Sequence, residues 1–549
     1  MKKTKRIIAI LLALTICLAL AACAGGGEEN TNSPGNTNSP GAPNSPDNPT
    51  PPATLAPGDV IPPPESAKFA ERLDILLEVG IPYFDVLTPG GSGGNGEKTV
   101  LRCILDRLVA YDVQKGEFLP ELATRWDTAD YQHYTFYLRD DVYFHNGDKF
   151  TAQSVIETSE LAMESPGTSS FDTWRNVDSI TAVDATTLEI VLKSVNVEFL
   201  SVLSQVGASI VSAAAREADP IEGKWIGTGA FYVSDFQTND YVTLTRNDNY
   251  WGEAPISEQL HFRFVPEIAA RTIMLQNGES DIAIALGTED LPLFENDTDN
   301  YVVYDFVANL VFFLGFNMED PITGDINFRR AVVHALNLAE IAISAGGETG
   351  EPPTDGAFWG PSTEFRNTDL PAIRQDLDLA RSYLEDSSYN GEEVEIIAGI
   401  PFNIKASDLI AEQLRAIGVN TTLFNTDPGT VNTTTAFGNN RAQIVNHVSG
   451  FNVSASYCRS PLLPTGSGNR TSYNNAEVNS LFELAPTLID PAERGAAYKR
   501  IQEIVYEDLA YIVMFHRRTP IVTSSAIGGL IVDSDHSHDF RYAFKVLGD

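Results

Sequence analysis

The sequence is poor in cysteine, histidine and basic residues, and each shortage excludes a class of protein. Four cysteines in 549 residues are too few for a disulfide framework or for zinc ligation by thiolates alone. The 37 lysines and arginines stand against 74 aspartates and glutamates, so the net charge is −37. Because no basic patch stands out, nucleic acid is not an expected partner.

The eight histidines contain no pair at helical metal-ligand spacing. The sequence His536-Ser-His538-Asp539 could hold a metal ion, but histidines in a polar terminal segment are usually solvated. We therefore expect no metal and no other cofactor.

A run long enough to span a membrane stably is also missing at the N-terminus. Four basic residues within the first six positions are followed by an apolar run from Ile7 to Ala22. This arrangement predicts a secretory signal peptide over residues 1–22. It ends in Leu-Ala-Ala-Cys, the pattern of a bacterial lipobox, so Cys23 is predicted to carry a lipid that holds the protein on the outer face of the membrane. An uncleaved anchor helix, or cleavage without lipid, is the alternative.

Residues 23–67 consist mostly of small and polar amino acids, with eleven prolines between Pro34 and Pro64. Such a segment cannot bury enough apolar surface to offset its ordering entropy, which predicts a disordered tether. Its length favours the cell exterior over a periplasm. Of the cysteines in the body, Cys103 and Cys458 could form one bridge, a pairing that the sequence does not decide.

The rest of the chain alternates between strand-like and helix-like periodicity. Apolar residues alternate in 187–193 and in 241–246, which predicts strands. Helical spacing from Phe328 to Ile343 follows Asp325, a candidate N-cap, and a second helix is expected to end at Gly418. Elements in this order predict mixed α/β lobes.

A glycine-rich run, 90–99, matches two enzyme motifs literally. It contains the spacing of a hydrolase nucleophile elbow, with Ser92 as the nucleophile, and the spacing of a dinucleotide-binding loop. A glycine-dense loop satisfies such patterns by chance, and Glu97 precedes the lysine where a phosphate-binding loop needs glycine. We interpret the run as a flexible loop leading into a helix over 99–109, without catalytic residues.

Several motifs follow one another in an order that matches a known family. They lie at Val142–Ile156, Gly227–Ser234, Leu244–Gly252, Leu275–Ala285, Leu314–Leu338, Asp376–Leu384, Ala411–Val419 and Tyr473–Leu481. From about residue 68 onward the chain resembles solute-binding protein family 5, the extracellular peptide- and nickel-type receptors of bacterial ABC importers. Most of these motif residues are expected to hold the fold and not to touch ligand.

The resemblance implies an α/β fold of the periplasmic-binding-protein-like type II class (cluster C), with two large lobes, an inserted smaller lobe and a hinge. Lobe I would comprise 68–110, 225–312 and 513–549, lobe II 111–224, and lobe III 313–512. The two crossings near residues 312 and 513 would act as the hinge. Ligand capture would be lobe closure by a monomeric protein.

The resemblance also indicates binding residues. Gly450, Phe451 and Asn452 lie where many peptide-binding members have Gly-Trp, followed by an aspartate that pairs with the peptide's ammonium group. Ser454 stands near the position of that aspartate, and a cleft without it loses a charge-assisted bond to a free amine. Further candidate residues are Phe171, Trp174, Phe312, Phe313, His516 and Arg517, the last of them for an acidic group on the ligand.

The predicted function is therefore that of a substrate-binding lipoprotein that captures a peptide or similar solute and delivers it to an ABC permease. Because the anchoring acid is missing, an oligosaccharide is the alternative ligand. The alternatives from other classes are an extracellular hydrolase and a chaperone-like or signalling adhesin.

Overall fold

The computed structural model describes residues 54–55, 61–64, 67–78, 80–81, 83–88, 95–112, 115–451, 454–534 and 538–548. The predicted signal peptide, Cys23 and most of the predicted tether lie outside these ranges. No helix in the described ranges combines the length and the apolar composition that crossing a bilayer requires.

The described chain alternates strands and helices throughout. The strands are β1 (Thr54–Leu55), β2 (Arg72–Leu77), β3 (Val109–Asp112), β4 (Glu117–Pro120), β5 (Ala123–Thr128), β6 (His133–Leu138), β7 (Val177–Ala182), β8 (Thr187–Leu192), β9 (Phe231–Gln237), β10 (Tyr241–Arg246), β11 (Gln259–Phe264), β12 (Ile282–Ile284), β13 (Tyr301–Tyr304), β14 (Leu310–Phe316), β15 (Gly350–Glu351), β16 (Glu393–Ala398), β17 (Asn420–Asn425), β18 (Ile444–Gly450), β19 (Tyr511–Arg517), β20 (Ile521–Ser524), β21 (Ile527–Gly528) and β22 (Phe544–Lys545). The α-helices are α1 (Asn95–Ile104), α2 (Ala152–Met163), α3 (Ser169–Trp174), α4 (Phe199–Leu203), α5 (Ala213–Ala218), α6 (Ile268–Gln276), α7 (Leu291–Glu295), α8 (Ile326–Ala335), α9 (Leu338–Gly346), α10 (Leu377–Glu385), α11 (Pro401–Ala416), α12 (Pro428–Thr434), α13 (Arg459–Leu462), α14 (Ala476–Leu484) and α15 (Pro491–Asp508).

The first large sheet has eight strands in the order β1-β13-β20-β12-β2-β11-β10-β9. Its strand β2 is apolar on both faces: Leu73 and Ile75 enter one core with α1, whereas Leu76 enters a second core with Phe294 of α7. A strand covered on both sides needs such a nearly continuous apolar run. We call this sheet with α1, α6 and α7 the large lobe.

A four-stranded antiparallel sheet, in the order β5-β6-β8-β7, forms a smaller unit between β4 and β9 in the sequence. Leu188, Ile190 and Leu192 alternate into its core, as predicted for this strand, and α2, α3 and α4 cover the same face. We call this sheet with its three helices the inserted lobe.

The second large sheet has six strands in the order β15-β19-β14-β18-β16-β17. Adjacent residues of β14 point to opposite sides, so Phe312 enters the core under α8, α9 and α11, and Phe313 the core under α14 and α15. We call this sheet with its helices the six-stranded lobe. Together the three sheets confirm the predicted mixed α/β architecture.

The chain passes twice between the two large sheets. The crossings lie at 305–309 and 518–520, next to each other, and they are joined by bonds from the Ala308 amide to the Arg517 carbonyl (2.9 Å) and from the Thr519 amide to the Phe306 carbonyl (3.1 Å). The crossings expected near 312 and 513 would fall inside β14 and β19. Strands β14 and β19 pair with each other as far as Phe312 and Phe515, so the six-stranded sheet reaches closer to the crossings than expected.

The inserted lobe is fixed to the large lobe by buried charges. Glu121 accepts two bonds from the Arg107 guanidinium, at 3.0 and 3.1 Å, and Arg541 approaches the same carboxylate at 3.4 Å. Beside this pair, within the large lobe, Asp106 accepts bonds from Thr228 (2.9 Å) and from the Trp251 indole (2.8 Å). Paired and hydrogen-bonded charges of this kind specify one arrangement of the elements that carry them.

Two predicted helices differ from the observed ones. The helix expected from Phe328 to Ile343 is two helices, α8 and α9, because Leu336 is extended and the Asn337 side chain caps α9 by accepting from the Glu340 amide. The helix expected over 99–109 is α1, which ends at Ile104, since Val109 already pairs with Pro120 in a hairpin. The predicted Asp325 cap is confirmed, and the helix expected to end at Gly418 does end there, with Gly418 at φ 99° just after α11.

Candidate functional site

A cavity of about 940 Å³, counting the space open to solvent, lies where the inserted lobe faces the six-stranded lobe. The inserted lobe contributes α3, α4 and the turn that follows α4, and the six-stranded lobe contributes the segment after β18. Helix α1 of the large lobe adds Lys98. The lining residues are Lys98, Ser169, Asp172, Thr173, Asn176, Asn196, Phe199, Ser201, Val202, Gln205, Val206, Gly207, Phe451, Ser454, Ser456, Tyr457, Arg459 and Ser460.

Among the described residues that line the cavity, the acidic side chain is Asp172 of α3. Its carboxylate accepts a bond from the Ser467 hydroxyl at 2.7 Å and a longer one from Arg175 at 3.4 Å. Burial raises the pKa of Asp172, and these partners only partly offset that effect. A cationic group on a ligand would therefore stabilise the ionised form of this buried carboxylate.

The wall also carries two cationic side chains, Lys98 and Arg459, from different lobes. The Arg459 Nη2 donates to the exposed Glu483 at 3.3 Å, while its Nε is buried without a hydrogen-bond partner among the described residues. A Cβ at position 450 would lie 3.7 Å from the Lys98 Nζ, an ordinary contact distance, so Gly450 is a neighbour of this ammonium group. The cavity thus offers charges of both signs.

The remaining polar wall is neutral. Ser454 and Ser456 share a bond of 2.8 Å between their hydroxyl oxygens, and the Gln205 amide donates to the Ser201 carbonyl at 3.2 Å. The Asn196 side-chain oxygen accepts from the Glu198 amide at 2.9 Å, which fixes the start of α4 beside the cavity. Hydroxyl and amide groups of this kind can bond a peptide backbone or sugar hydroxyls equally well.

The two lobes touch directly at one side of the cavity. Arg175 donates to the carbonyl and the hydroxyl of Thr465, at 2.9 and 3.0 Å. The Tyr498 phenol donates to Glu198 at 2.6 Å, where burial raises the carboxyl pKa and the Tyr498 bond lowers it less. These contacts hold the inserted lobe against the six-stranded lobe.

Three of the predicted binding residues lie at this cavity. Phe451 and Ser454 line it, and Gly450 borders Lys98. Asn452 lies outside the described residues. Phe451 packs edge-on against Phe358 with 5.7 Å between ring centroids, so one side of its ring is held by the core. Their contact with ligand stays a prediction.

The predicted aromatic residues of β14 and α3 lie elsewhere. Phe312 stacks on Phe515 at 4.4 Å, and Phe313 lies in the opposite core. Trp174 is 1% exposed inside the inserted lobe. Phe171 is partly buried on α3, next to the cavity residue Asp172. None of these four is among the residues that line the cavity.

His516 and Arg517, both predicted to bind ligand, are the last two residues of β19 and lie next to a crossing. The guanidinium of Arg517 makes two bonds to Glu78, at 2.8 and 2.7 Å, and lies over the Phe402 ring at 4.2 Å. An acidic ligand group at Arg517 would therefore compete with Glu78. One His516 ring nitrogen bonds the Leu310 carbonyl (3.1 Å), and burial lowers the His516 pKa to about 4.

Sequence reasoning missed Asp172, Arg459 and Asn196. Asp172 and its partner Ser467 are 295 positions apart, and no local pattern connects them. One hint was present in the sequence: Asp172 lies between Phe171 and Trp174, which were both predicted to contact ligand. The orientation of their helix could not be predicted, so the hint did not point to Asp172.

The remaining predictions concern cysteine pairing, metal binding and the serine nucleophile. Cys103 and Cys458 are both buried free thiols, so they form no bridge. Among the described residues, no group of three or more His, Cys, Asp and Glu side chains could hold a metal ion. His536 and Ser92 lie outside the described residues.

Comparisons with known proteins place this architecture in one family. A profile of the bacterial extracellular solute-binding proteins, family 5 (middle region), matches residues 117–469, more than half of the chain. The chain is 26% identical to heme-binding protein A of Haemophilus influenzae over 485 residues, covering 81% of this chain and 87% of that protein.

Solved structures share the fold. The dipeptide-binding protein of a Pseudoalteromonas species, in complex with Met-Leu, matches with a TM-score of 0.76 at 22% identity, over 86% of this chain and 100% of that one. The periplasmic binding protein DppA of Helicobacter pylori, in complex with the peptide STSA, matches with a TM-score of 0.75 at 21% identity, over 87% and 99%. The predicted type II binding-protein fold is thereby confirmed. The matched relatives are solute-binding proteins, and the chain belongs to family 5 of the bacterial extracellular solute-binding proteins, the substrate-binding components of ABC importers.

Proposed function

We propose that this protein captures a short peptide or a similar charged solute in the cavity between the inserted and six-stranded lobes and delivers it to an ABC permease. The observation that carries the proposal is that Asp172, Lys98 and Arg459 all line the same cavity. A peptide with free ends presents an ammonium and a carboxylate, and each finds a partner of opposite charge there. Two structural neighbours are described in complex with peptides, which supports the same class.

In this proposal Asp172 takes the place of the acid that is missing at Ser454. The carboxylate comes from the inserted lobe and not from the segment after β18, so it approaches the ligand only when the two lobes are together. Closure and recognition are then one event, because the closed form makes bonds that the open form lacks.

The direct test is mass spectrometry of the solutes that co-purify with the recombinant protein, followed by calorimetric titration with a synthetic peptide of the observed mass. We expect Asp172→Asn and Arg459→Gln each to weaken binding about tenfold or more, while the exposed Arg381→Gln on α10 leaves it unchanged. Binding that both cavity variants retain at full strength would refute the assignment.

An oligosaccharide is the second candidate ligand. Ser454, Ser456 and Asn196 line the cavity together with Phe451, and this mixture of hydroxyl, amide and apolar groups favours a sugar, which combines hydroxyls with apolar faces. In that case the co-purified mass would be that of a glycan, and substitution of Asp172 would have little effect.

We also propose that Cys23 carries a lipid and that residues 1–22 are removed, as the basic, apolar and Leu-Ala-Ala-Cys pattern indicates. Cys23→Ala should move the protein from the membrane fraction to the soluble fraction of cells. Equal membrane association of both forms would contradict a lipid anchor.

A further inference from the structure

The inserted lobe and the six-stranded lobe meet at Asp172, beside the cavity. Ser467 lies between α13 and α14 in the six-stranded lobe, and its hydroxyl donates to the Asp172 Oδ2 at 2.7 Å. Arg175, the residue after α3, donates to the carbonyl and the hydroxyl of Thr465 at 2.9 and 3.0 Å. We call these four residues the seam. Its bonds exist only while the two lobes are in contact, because each of them joins one lobe to the other.

Ser467 connects the seam to the cavity wall. Its hydroxyl oxygen lies 3.2 Å from that of Ser460, which lines the cavity as Asp172 does. A hydroxyl group has one proton, and Ser467 uses its proton for Asp172, since an ionised carboxylate only accepts. Ser460 is therefore the donor in the bond between the two serines, and its own oxygen accepts from the Gly468 amide at 3.0 Å. These bonds fix the direction of the Ser467 hydroxyl, which stands behind the lining residues.

The two carboxylate oxygens of Asp172 are consequently unequal. Oδ2 accepts the short bond from Ser467, whereas the hydrogen bond that Oδ1 accepts among the described residues is the 3.4 Å one from the Arg175 Nη1. Arg175 makes its shorter bonds to Thr465, so its bond to Oδ1 is the weaker one. Burial raises the pKa of Asp172, and the Ser467 hydroxyl opposes this rise more than any other neighbour. Oδ1 is the oxygen that is left for a solute.

Organic cations differ in how many carboxylate oxygens they need. An ammonium group is a compact point charge with rotatable donors, and one oxygen is enough for a short charge-assisted bond. A guanidinium is a planar fork that gains most when two parallel bonds reach both oxygens of a carboxylate. A hydroxyl that is already bonded to one oxygen competes with the second arm of the fork. The bond from Ser467 to Asp172 therefore costs a guanidinium ligand more than an ammonium ligand.

We propose that Ser467 is a specificity-determining residue that makes the cavity prefer a solute with a primary ammonium group over one with a guanidinium group. This selection rests on the proposed function, since Asp172 is there the partner of the solute's cation. It adds a choice among cations that a carboxylate alone does not provide. Ser467 acts through Asp172, by occupying one of its oxygens, and does not touch the solute.

The probes are three pools of synthetic tripeptides of random sequence without lysine, arginine or histidine. They share one composition and differ at the N-terminus, which is a free amine, an amine converted to a guanidine, or an acetylated amine. Equilibrium dialysis against the full chain, followed by mass spectrometry, measures how much of each pool the protein retains. Ser467→Ala and Ser467→Thr are compared with wild type and with Ser480→Ala. Ser480 is exposed on α14, and its hydroxyl donates to the Ala476 carbonyl of its own helix at 2.9 Å.

We expect wild type and Ser480→Ala to retain the amine pool about tenfold more strongly than the guanidine pool, because one hydrogen bond to a charged group changes affinity by about that factor or more. Ser467→Ala should reduce this ratio to about threefold or less, since both Asp172 oxygens are then open to the fork. Ser467→Thr keeps the hydroxyl and should keep the ratio. All four proteins should retain the acetylated pool weakly, because it has no cation.

Equal retention of the amine and guanidine pools by wild type would overturn this selection. So would a Ser467→Ala variant that keeps the wild-type ratio, or a Ser467→Thr variant that loses it. If Ser467 had a purely structural role, Ser467→Ala would retain less of both cationic pools while their ratio stayed the same. These results leave the proposed function intact as long as wild type retains the amine pool better than the acetylated pool. If wild type retained those two pools equally, or retained none of the three, the proposed function would fail as well.

Discussion

At the scale of single residues, His145 shows how a side chain can hold two lobes together only in its neutral form. Its Nδ1 accepts from the Gly227 amide at 3.2 Å, and its Nε2 donates to the Gly229 carbonyl at 3.0 Å. Both ring nitrogens are therefore in use, and protonation of Nδ1 would break the bond to Gly227. Burial lowers the pKa of His145 from 6.5 to about 4.

The pH dependence of stability follows from this shift. Above pH 6.5 His145 is neutral in both the folded and the unfolded chain, so its contribution is complete. As the pH falls from 6.5 toward about 4, the unfolded chain binds a proton that the folded chain does not, and stability falls by about 1.4 kcal/mol per pH unit.

We expect His145→Gln, which retains an acceptor and a donor, to reduce this slope by one proton in urea unfolding between pH 7 and about 4. His133→Gln, at an exposed position, is the control. An unchanged slope in His145→Gln would show that other groups cause the acid sensitivity.

Trp174 was predicted to contact the ligand, but its position in the structure indicates a role in stability. It is 1% exposed and lies among Phe136, Phe150 and Leu203 in the core of the inserted lobe. Trp174→Ala should lower the free energy of unfolding by about 3–5 kcal/mol, since it leaves a large cavity. Chemical denaturation measures this, with the exposed Phe424→Ala expected within about 0.5 kcal/mol of wild type. A stable Trp174→Ala that had lost only solute binding would restore the ligand role.

At the scale of elements, the close contact between α1 and the segment 227–229 positions Lys98 at the cavity. A Cβ on Gly229 would lie 2.4 Å from the Ile104 carbonyl carbon, and one on Gly227 2.1 Å from the Ile104 oxygen. Neither glycine has a positive φ, so the reason for glycine here is space and not backbone conformation. The end of α1 can approach only because these side chains are absent.

Gly229→Ala should therefore destabilise the protein by about 1–3 kcal/mol and shift α1 enough to weaken solute binding. The matched control is Gly548→Ala, where no atom lies within 4 Å of the new methyl group. Thermal unfolding and solute titration of both variants provide the measurement. Equal behaviour of the two variants would mean that the contact at Ile104 relaxes without cost.

Helices and strands could be predicted where the local sequence alone determines them. Strand β8 and the cap at Asp325 follow from alternation and from a single side chain, and both were predictable. The break between α8 and α9 was not, because Leu336 continues the apolar spacing even though its backbone is extended. Ile343, placed on the buried face by that spacing, is 65% exposed.

The candidate site was predictable only where one segment supplies it. Phe451 and Ser454 follow from the position of a single motif in the family pattern. Asp172, Lys98 and Arg459 come from three lobes, and their proximity is a product of how the sheets pack. No periodicity or motif spacing in one sequence contains that information.

At the scale of the whole molecule, the contact of the inserted lobe with α15 is expected to set how readily the cavity opens. The Tyr498 phenol reaches across to Glu198, and the Val197 amide donates to the Pro486 carbonyl at 2.9 Å. A bond to a buried carboxylate contributes about 1.5–3 kcal/mol, a sizeable part of a closure equilibrium.

Tyr498→Phe removes this bond and keeps the ring in its core. We expect about a tenfold loss of solute affinity and a larger radius of gyration by small-angle scattering, because the open form gains population. Tyr506→Phe, on the same helix, serves as the control. If Tyr498→Phe bound solute as tightly as wild type and gave the same scattering curve, the contact would have no part in closure.

The paired crossings at 305–309 and 518–520 have a mechanical consequence. Two hydrogen-bonded antiparallel segments form a ribbon that bends out of its plane but resists sliding in it, since sliding would break the bonds at Ala308 and Thr519 together. The two halves of the protein should then move along one angular coordinate. A pair of dyes on opposite rims would report that angle, and through it the occupancy of the protein, as a single distance.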